Sequence, residues 1–221
     1  MLLAVDTSTA QVGLALYDED RVLGEMIWTT HQHHTTELAS ALSGLLKRCG
    51  VTMSGVNALG VAIGPGSFTS LRVGLSLVKG IALARNLPVI GISTLDVIAA
   101  AQPLARQPLI AVIQAGRTRV AFGVYKNIGK VWQAEGPVRS GTVEELLDEI
   151  ENPTIVAGEL TSEERKKFSK KKKVSLALPA NCVRRPAVLA ELAWERWKNE
   201  QVDDAATLAP IYLHVAGTPI N

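Results

Sequence analysis

The sequence predicts an α/β protein of two similar lobes, each built from a mixed β-sheet flanked by helices. Hydrophobic periodicity gives three strands in a row followed by alternating helices and strands, and the same succession begins again in the second half. A Rossmann domain alternates strands and helices from its start, so that fold is disfavoured. The proline-bracketed stretch 103–108 reads as a loop between the halves. We therefore place one lobe at residues 1–104 and the other at residues 105–221.

The first lobe is predicted to begin with a β-meander, in which the second and third strands are joined by an acidic turn at residues 18–20. Its strands are predicted at residues 2–5, 12–17, 22–28, 59–63 and 89–92. Thr35 and Thr36 can cap the first helix, whose leucines recur at helical spacing until Gly50 stops it. Two further helices are predicted over residues 70–85 and 94–101.

The second lobe repeats this order of elements. Its strands are predicted at residues 109–113, 120–125, 130–135, 154–156 and 174–178. Its helices are predicted at residues 142–150, 161–168 and 187–198. No residue-level repeat relates the two halves, so the duplication is predicted from element order alone.

The composition is that of an ordinary soluble globular protein, with 47% hydrophobic and 20% charged residues and a net charge of +2. Such a charge does not indicate a strongly basic nucleic-acid-binding protein. Cys49 and Cys182 are isolated, which disfavours a disulfide framework and a thiolate metal site and favours a reducing cytoplasm. The first residues lack a basic segment before their apolar run, and no apolar stretch is long enough to span a bilayer.

Two loops are candidates for facing a phosphate. The residues after the first strand carry a carboxylate and three hydroxyls, and the glycine-rich loop 64–69 leads from a buried strand into a helix N-terminus. Neither loop matches a Walker A or GxGxxG motif, and a hydroxyl-rich turn beside a structural glycine turn is the alternative. The candidate crevice residues are Asp6, Thr7, Ser8, Gly64, Gly66 and Ser67.

The helix predicted over residues 70–85 is apolar around nearly its whole circumference, although the core of one lobe needs only one apolar stripe. Gly74, Ser76 and Gly80 would let a second helix approach closely. The helix is therefore either sandwiched within its own lobe or part of an interface with another subunit, and both interpretations stay open. The predicted interface residues are Leu38, Leu42, Leu45, Leu71, Leu75 and Val78.

Two charged or ligating clusters are weaker candidates. His31, His33 and His34 lack further ligands at regular spacing, so a metal site is disfavoured. The lysine-rich run 166–173 can contact RNA phosphates, with Arg184 and Arg185 as an extension, or can be a solvated face. No GxSxG or HExxH motif indicates nucleophilic or metallopeptidase chemistry.

Three segments, AVDTSTAQVGLAL, AIGPGSFTSLRVGLSLVKGIAL and GISTLDVIAA, closely resemble the TsaB (YeaZ) family. The resemblance covers residues 1 to about 100 and the closing motif LAPIYLH. It implies an actin-like (ribonuclease H-like) fold, shared with sugar kinases and Hsp70. It also implies a non-catalytic subunit of the assembly that forms threonylcarbamoyladenosine in tRNA beside the anticodon.

The resemblance further implies a TsaD-like catalytic subunit and a TsaE-like ATPase as partners, indirect contact with tRNA, and a homodimer when the chain is alone. No cofactor is expected to bind firmly, although ATP or ADP can lie at the partner interface. Under this interpretation, Leu75→Arg is expected to abolish the heterodimer. Gln114-Ala115-Gly116-Arg117 departs from the family's Asp-Ala-Arg, so no functional residue is carried over from the second lobe. The alternative is a small-molecule kinase or ATPase that uses Asp6; a metallopeptidase is disfavoured.

Overall fold

The computed structural model describes residues 1–30, 34–116 and 118–212, with the backbone alone at residues 34 and 35. The first part of the chain forms a five-stranded sheet with strand order β3-β2-β1-β4-β5. Its strands are β1 (Leu2–Asp6), β2 (Gln11–Asp18), β3 (Arg21–Thr29), β4 (Ala58–Gly64) and β5 (Val89–Ser93). Its helices are α1 (His34–Arg48), α2 (Phe68–Arg85) and α3 (Thr94–Ala100).

The second part forms a six-stranded sheet with the order β11-β10-β6-β7-β8, and β9 pairs beside β7. Its strands are β6 (Leu109–Gln114), β7 (Val120–Ile128), β8 (Val131–Ala134), β9 (Arg139–Gly141), β10 (Thr154–Gly158) and β11 (Val174–Leu176). Its helices are α4 (Val143–Glu149), α5 (Ser162–Ser169) and α6 (Pro186–Lys198). Among the described residues, the three-residue strand β9 is the one addition to the predicted strands. The sequence analysis missed it because three residues are too few to show a period.

The two sheets share one pairing pattern. The central strand β1 runs antiparallel to β2 and parallel to β4, and β6 runs antiparallel to β7 and parallel to β10. All five residues of β1 and the first five of β6 are buried, as expected for strands covered on both faces. The predicted fold class, two lobes with mixed sheets flanked by helices, is confirmed.

Two helices lie on sheets other than those that their sequence order predicts. Helix α6 comes after the second sheet but packs against the first, where Leu189, Ala190 and Ala193 join Leu2 and Ala4 in one core cluster. A Cβ at Gly60 would lie 2.9 Å from the Cβ of Ala193, so glycine allows this close packing. Helix α3 contributes to the core cluster of the second sheet. The division of the chain at residues 104 and 105 stays a prediction.

Helices α4 and α5 both begin with reciprocal capping boxes. At α5, the Thr161 hydroxyl accepts from the Glu164 amide at 3.2 Å, and the Glu164 carboxylate accepts from the Thr161 amide at 2.7 Å. The Glu164 carboxylate also accepts from the Gln114 side chain at 2.7 Å, which ties the helix to the end of β6. Since these groups satisfy free N–H donors of the helix, the cap stabilises a mostly polar helix.

We expect Thr161→Ala to lower the free energy of unfolding by about 1 kcal/mol, because it removes the acceptor of the Glu164 amide. The measurement is urea denaturation followed by tryptophan fluorescence. Ser162→Ala is the matched control, since Ser162 is exposed in the first turn of the same helix. An equal change in both variants would contradict a role for the cap.

Candidate functional site

Asp6 ends β1 in the region between the two sheets, where its carboxylate is almost completely buried. One oxygen, Oδ1, accepts from the Ser8 amide at 2.8 Å. The other, Oδ2, accepts from Nε of Arg184 at 2.9 Å. Each oxygen of the predicted phosphate-facing carboxylate therefore already has a donor within the chain.

Arg184 is the centre of this network and is only 1% exposed. Its Nη1 forms an ion pair with Glu159, which directly follows β10, and its Nη2 donates to the Gln11 carbonyl at 2.8 Å. The Thr9 hydroxyl donates to the same Glu159 carboxylate at 2.8 Å. The carboxyl ends of β1 and β10 thus meet at one buried guanidinium, which links the first lobe to the second.

The charge of Arg184 is held by its neighbours. Burial alone would lower the pKa of its guanidinium, but the carboxylates of Asp6 and Glu159 outweigh burial and raise that pKa above its usual value. A buried ion pair of this kind depends on both partners, because removing one leaves an uncompensated charge away from water. Sequence reasoning missed this role, since Arg184 lies in a loop 178 residues from Asp6.

The hydroxyls beside Asp6 are also engaged within the chain. The Thr7 hydroxyl donates to the Ser70 carbonyl at 2.7 Å and accepts from the Gly74 amide at 3.2 Å. The Ser8 hydroxyl lies 2.8 Å from that of Thr94. A Cβ at Gly74 would lie 2.3 Å from the Thr7 oxygen, so contact with the turn after β1 explains this glycine in α2.

The glycine-rich loop closes onto the same turn. The Ser67 amide donates to the Ser8 carbonyl at 2.7 Å, and a Cβ at Gly66 would lie 2.2 Å from that oxygen. The Ser67 side chain caps α2 by accepting from the Ser70 amide. Gly64 has φ of 107°, a conformation that favours glycine. The structure brings the two predicted loops together, but the polar groups described above bond to each other.

The six predicted interface residues lie in the core of the first lobe, and this part of the prediction is corrected. Their exposed fractions do not exceed 6%. Five of them belong to one cluster with β1, β2 and β4: Leu38, Leu42, Leu45, Leu75 and Val78. Leu71 is equally buried. The reason is that α1 and α2 turn their leucine stripes towards the sheet, so these side chains offer almost no area to another chain.

The outer surfaces of α1 and α2, which face away from the sheet, carry residues other than the six predicted ones. Leu83 is 88% exposed on α2, and a Cβ at Gly80 would meet no atom within 4 Å. The same holds for Gly44 on α1. A groove of about 570 Å³ between the helices is lined by Leu38, Ala39, Phe68, Thr69, Arg72, Val73, Ser76 and Leu77. Packing against the described residues therefore does not explain why position 80 of α2 is glycine.

The lysine run is tied to the acidic helix α4. Lys167 pairs with Glu144 at 2.5 Å, and Lys171 donates to the Leu147 carbonyl at 2.6 Å. Burial removes Arg184 from the surface and therefore from this patch, and Arg185 pairs with Glu25 at 2.5 Å. Contact of the remaining lysines with RNA stays a prediction.

The predicted histidine cluster and part of two motifs lie outside the described residues. His31, His33, Arg117 and the last two residues of LAPIYLH belong to this set, and the side chain of His34 is not described. Within residues 1–30, 34–116 and 118–212, no group of three or more His, Cys, Asp or Glu side chains can hold a metal ion. The described helices include none that is long and apolar enough to cross a membrane.

Two lobes with matching sheets and a crevice between their central strands define a protein of the actin-like class. The family model described as "TsaD: tRNA N6-adenosine threonylcarbamoyltransferase" matches residues 22–193. The chain belongs to this family.

Curated relatives carry the name "tRNA threonylcarbamoyladenosine biosynthesis protein TsaB". The Bacillus subtilis protein is 28% identical over 97% of this chain and 94% of its own length. The Escherichia coli K12 protein is 32% identical over 61% of this chain and 54% of its own length. The solved structure of YeaZ from Pseudomonas aeruginosa is 25% identical, covers 96% of this chain and 99% of its own, and has a TM-score of 0.77. The resemblance to TsaB (YeaZ) proteins is confirmed.

Proposed function

We propose that this chain is a non-catalytic subunit of an assembly that forms threonylcarbamoyladenosine in tRNA, and that its partner is a TsaD-type transferase. The names of the relatives support this biosynthetic role over that of a small-molecule kinase. Their names say nothing about catalysis by the subunit itself. The contacts of Asp6 in the crevice support a non-catalytic role.

The observation that carries the non-catalytic role is that both carboxylate oxygens of Asp6 accept hydrogen bonds from the chain itself. An actin-like ATPase or kinase needs a carboxylate here to orient a metal ion or a water molecule. Both oxygens of Asp6 instead accept from groups of the chain, and one of those groups is a buried guanidinium. Because a cation already sits against this carboxylate, a divalent metal ion would meet repulsion as well as occupied oxygens.

We place the docking surface on the outer face of α1 and α2, which carries Gly44, Gly80, Leu83 and the rim of the groove. Glycine inside a helix costs up to about 1 kcal/mol relative to alanine. Close packing of a partner helix would explain why Gly44 and Gly80 are glycine although each faces open space. We assign the homodimer predicted for the isolated chain to the same face.

The remaining expectations stay predictions. They are a TsaE-type ATPase as a further partner, indirect contact with tRNA, ATP or ADP at the partner interface, and a cytoplasmic location.

The experiment combines this chain with the TsaD-type protein of the same source in size-exclusion chromatography with light scattering, followed by ATP hydrolysis assays on each peak. We expect a heterodimer and no turnover by the free chain. Leu83→Arg should weaken the complex at least about 30-fold, because it places a charge at the centre of a desolvated contact. Val131→Arg is the matched control, since Val131 is 52% exposed on β8 of the other sheet.

An unchanged complex with Leu83→Arg would remove α2 as the docking surface. Turnover by the free chain that is lost in Asp6→Asn would support the kinase or ATPase alternative instead.

A further inference from the structure

The outer surfaces of α1 and α2 are rich in cations. Helix α2 contains no acidic residue, and the single acidic residue of α1, Glu37, accepts from the Trp28 indole at 3.0 Å. The cations on the two helices are Lys47, Arg48, Arg72, Lys79 and Arg85. The whole chain has a net charge of only +2, so this excess is local.

Within the described part of the chain, these five cations form no ion pair. Arg72 donates to the Tyr212 hydroxyl at 3.0 Å and lies 3.6 Å from the centre of the Phe68 ring. Lys79 donates to the Ala206 carbonyl at 3.3 Å. Neither contact neutralises the charge.

Four surface cations elsewhere are paired with carboxylates. The pairs are Lys126 with Glu135, Arg139 with Glu149, Lys167 with Glu144 and Arg185 with Glu25. On α1 and α2, five cations stand against one acidic residue, and none of the five has an ion-pair partner among the described residues. An unbalanced positive face favours a partner of the opposite sign and repels one of the same sign.

Two of these cations lie beside the apolar surface of α2. Lys79 lies one helical turn before Leu83, and Arg72 lines the groove. Packed helices approach to about 8–10 Å between their axes, and Gly80 allows the short end of this range. At such a distance the charges of two opposed helices interact within roughly one Debye length at physiological salt.

We propose that the outer face of α1 and α2 is built for an acidic, amphipathic helical surface of a partner subunit and that the same charges disfavour a second copy of this chain. An apolar side chain of the partner would enter the groove, and flanking carboxylates would pair with Lys47, Lys79 and their neighbours. This inference rests on the proposed function, since it assigns the chemistry of the docking partner.

The first test measures the affinity of the wild-type chain for the TsaD-type protein in 50 mM and 500 mM NaCl. We expect the dissociation constant to rise at least about tenfold at the higher salt, because ions screen exposed charges. The double variant Lys47→Glu/Lys79→Glu should bind at least about tenfold more weakly than wild type in 50 mM NaCl. Lys47→Gln/Lys79→Gln should show a smaller loss of affinity. This neutral variant keeps the test possible if the charge-reversed variant folds poorly.

The control is Lys170→Glu/Lys172→Glu, which makes the same change of charge at exposed lysines of the second lobe. It should change the affinity less than about twofold. Circular dichroism verifies the fold of each variant.

The second test needs no partner. Light scattering should show less self-association of the wild-type chain in 50 mM than in 500 mM NaCl. Mixing wild type with Lys47→Glu/Lys79→Glu should give a mixed dimer in 50 mM NaCl, because opposite charges then face each other.

Two results separate this inference from the proposed function. A wild-type complex that is insensitive to salt and to both lysine substitutions would overturn the acidic-partner inference and leave the docking proposal standing. Absence of any complex at either salt would overturn both.

Discussion

Arg184→Met should lower the free energy of unfolding by about 3–5 kcal/mol, the loss typical of breaking one side of a buried ion pair. The substitution keeps most of the aliphatic volume but leaves the Asp6 carboxylate buried with the Ser8 amide as its one remaining donor. It also removes the ion pair to Glu159 and the bond to the Gln11 carbonyl. Urea denaturation with fluorescence and far-ultraviolet circular dichroism would measure the change.

Two further variants make this result specific. Asp6→Asn in the Arg184→Met background should recover part of the loss, because it removes the unpaired charge and keeps an acceptor for the Ser8 amide. Arg185→Met is the control, since its guanidinium is half exposed and pairs with Glu25 at the surface, where such pairs contribute about 0–1 kcal/mol. Equal losses in Arg184→Met and Arg185→Met would contradict the central role of the buried network.

Leu75→Arg should prevent folding or cost at least about 4 kcal/mol, because it buries a charge that has no carboxylate partner in its apolar cluster. Leu75 is 5% exposed, whereas Leu83, eight residues further along the same helix, is 88% exposed. Leu83→Arg should therefore leave the melting temperature within about 2 °C of wild type. Thermal unfolding of the two variants measures the difference.

This pair of variants also separates a folding effect from a docking effect. Sequence reasoning expected Leu75→Arg to disrupt the heterodimer in a folded chain, whereas burial makes loss of the fold the expected cause. If Leu75→Arg melts at the wild-type temperature and still fails to bind the partner, the buried position of Leu75 would be contradicted.

The elements of the fold were readable from the sequence, because strands and helices buried on defined faces leave periods of about 2 and 3.6 in their apolar residues. Each strand from β1 to β4 and each helix from α1 to α3 is a short continuous segment, so its pattern can be read within that segment. Capping residues such as Thr142 and Thr161 mark where helices begin to within a few positions. The family could also be recognised from the sequence, because its motifs are continuous segments of the first 100 residues. Strand β9 escaped because three residues show no period.

Only the tertiary structure decided which apolar stripe of α2 faces the sheet. Both stripes are aliphatic, so the sequence could not distinguish Leu75, which is in the core, from positions near the exposed Leu83. The glycines of this helix also differ in their surroundings: Gly74 packs against the Thr7 side chain, while Gly80 faces open space.

The same holds for the crevice. Asp6 could be recognised as a candidate carboxylate from its place after β1, but the guanidinium that engages it comes from 178 positions away. Local patterns report which elements form, because backbone and neighbouring side chains determine them. Whether a charge is free or neutralised depends on contacts between distant segments, and those exist only once the two sheets and α6 have packed together.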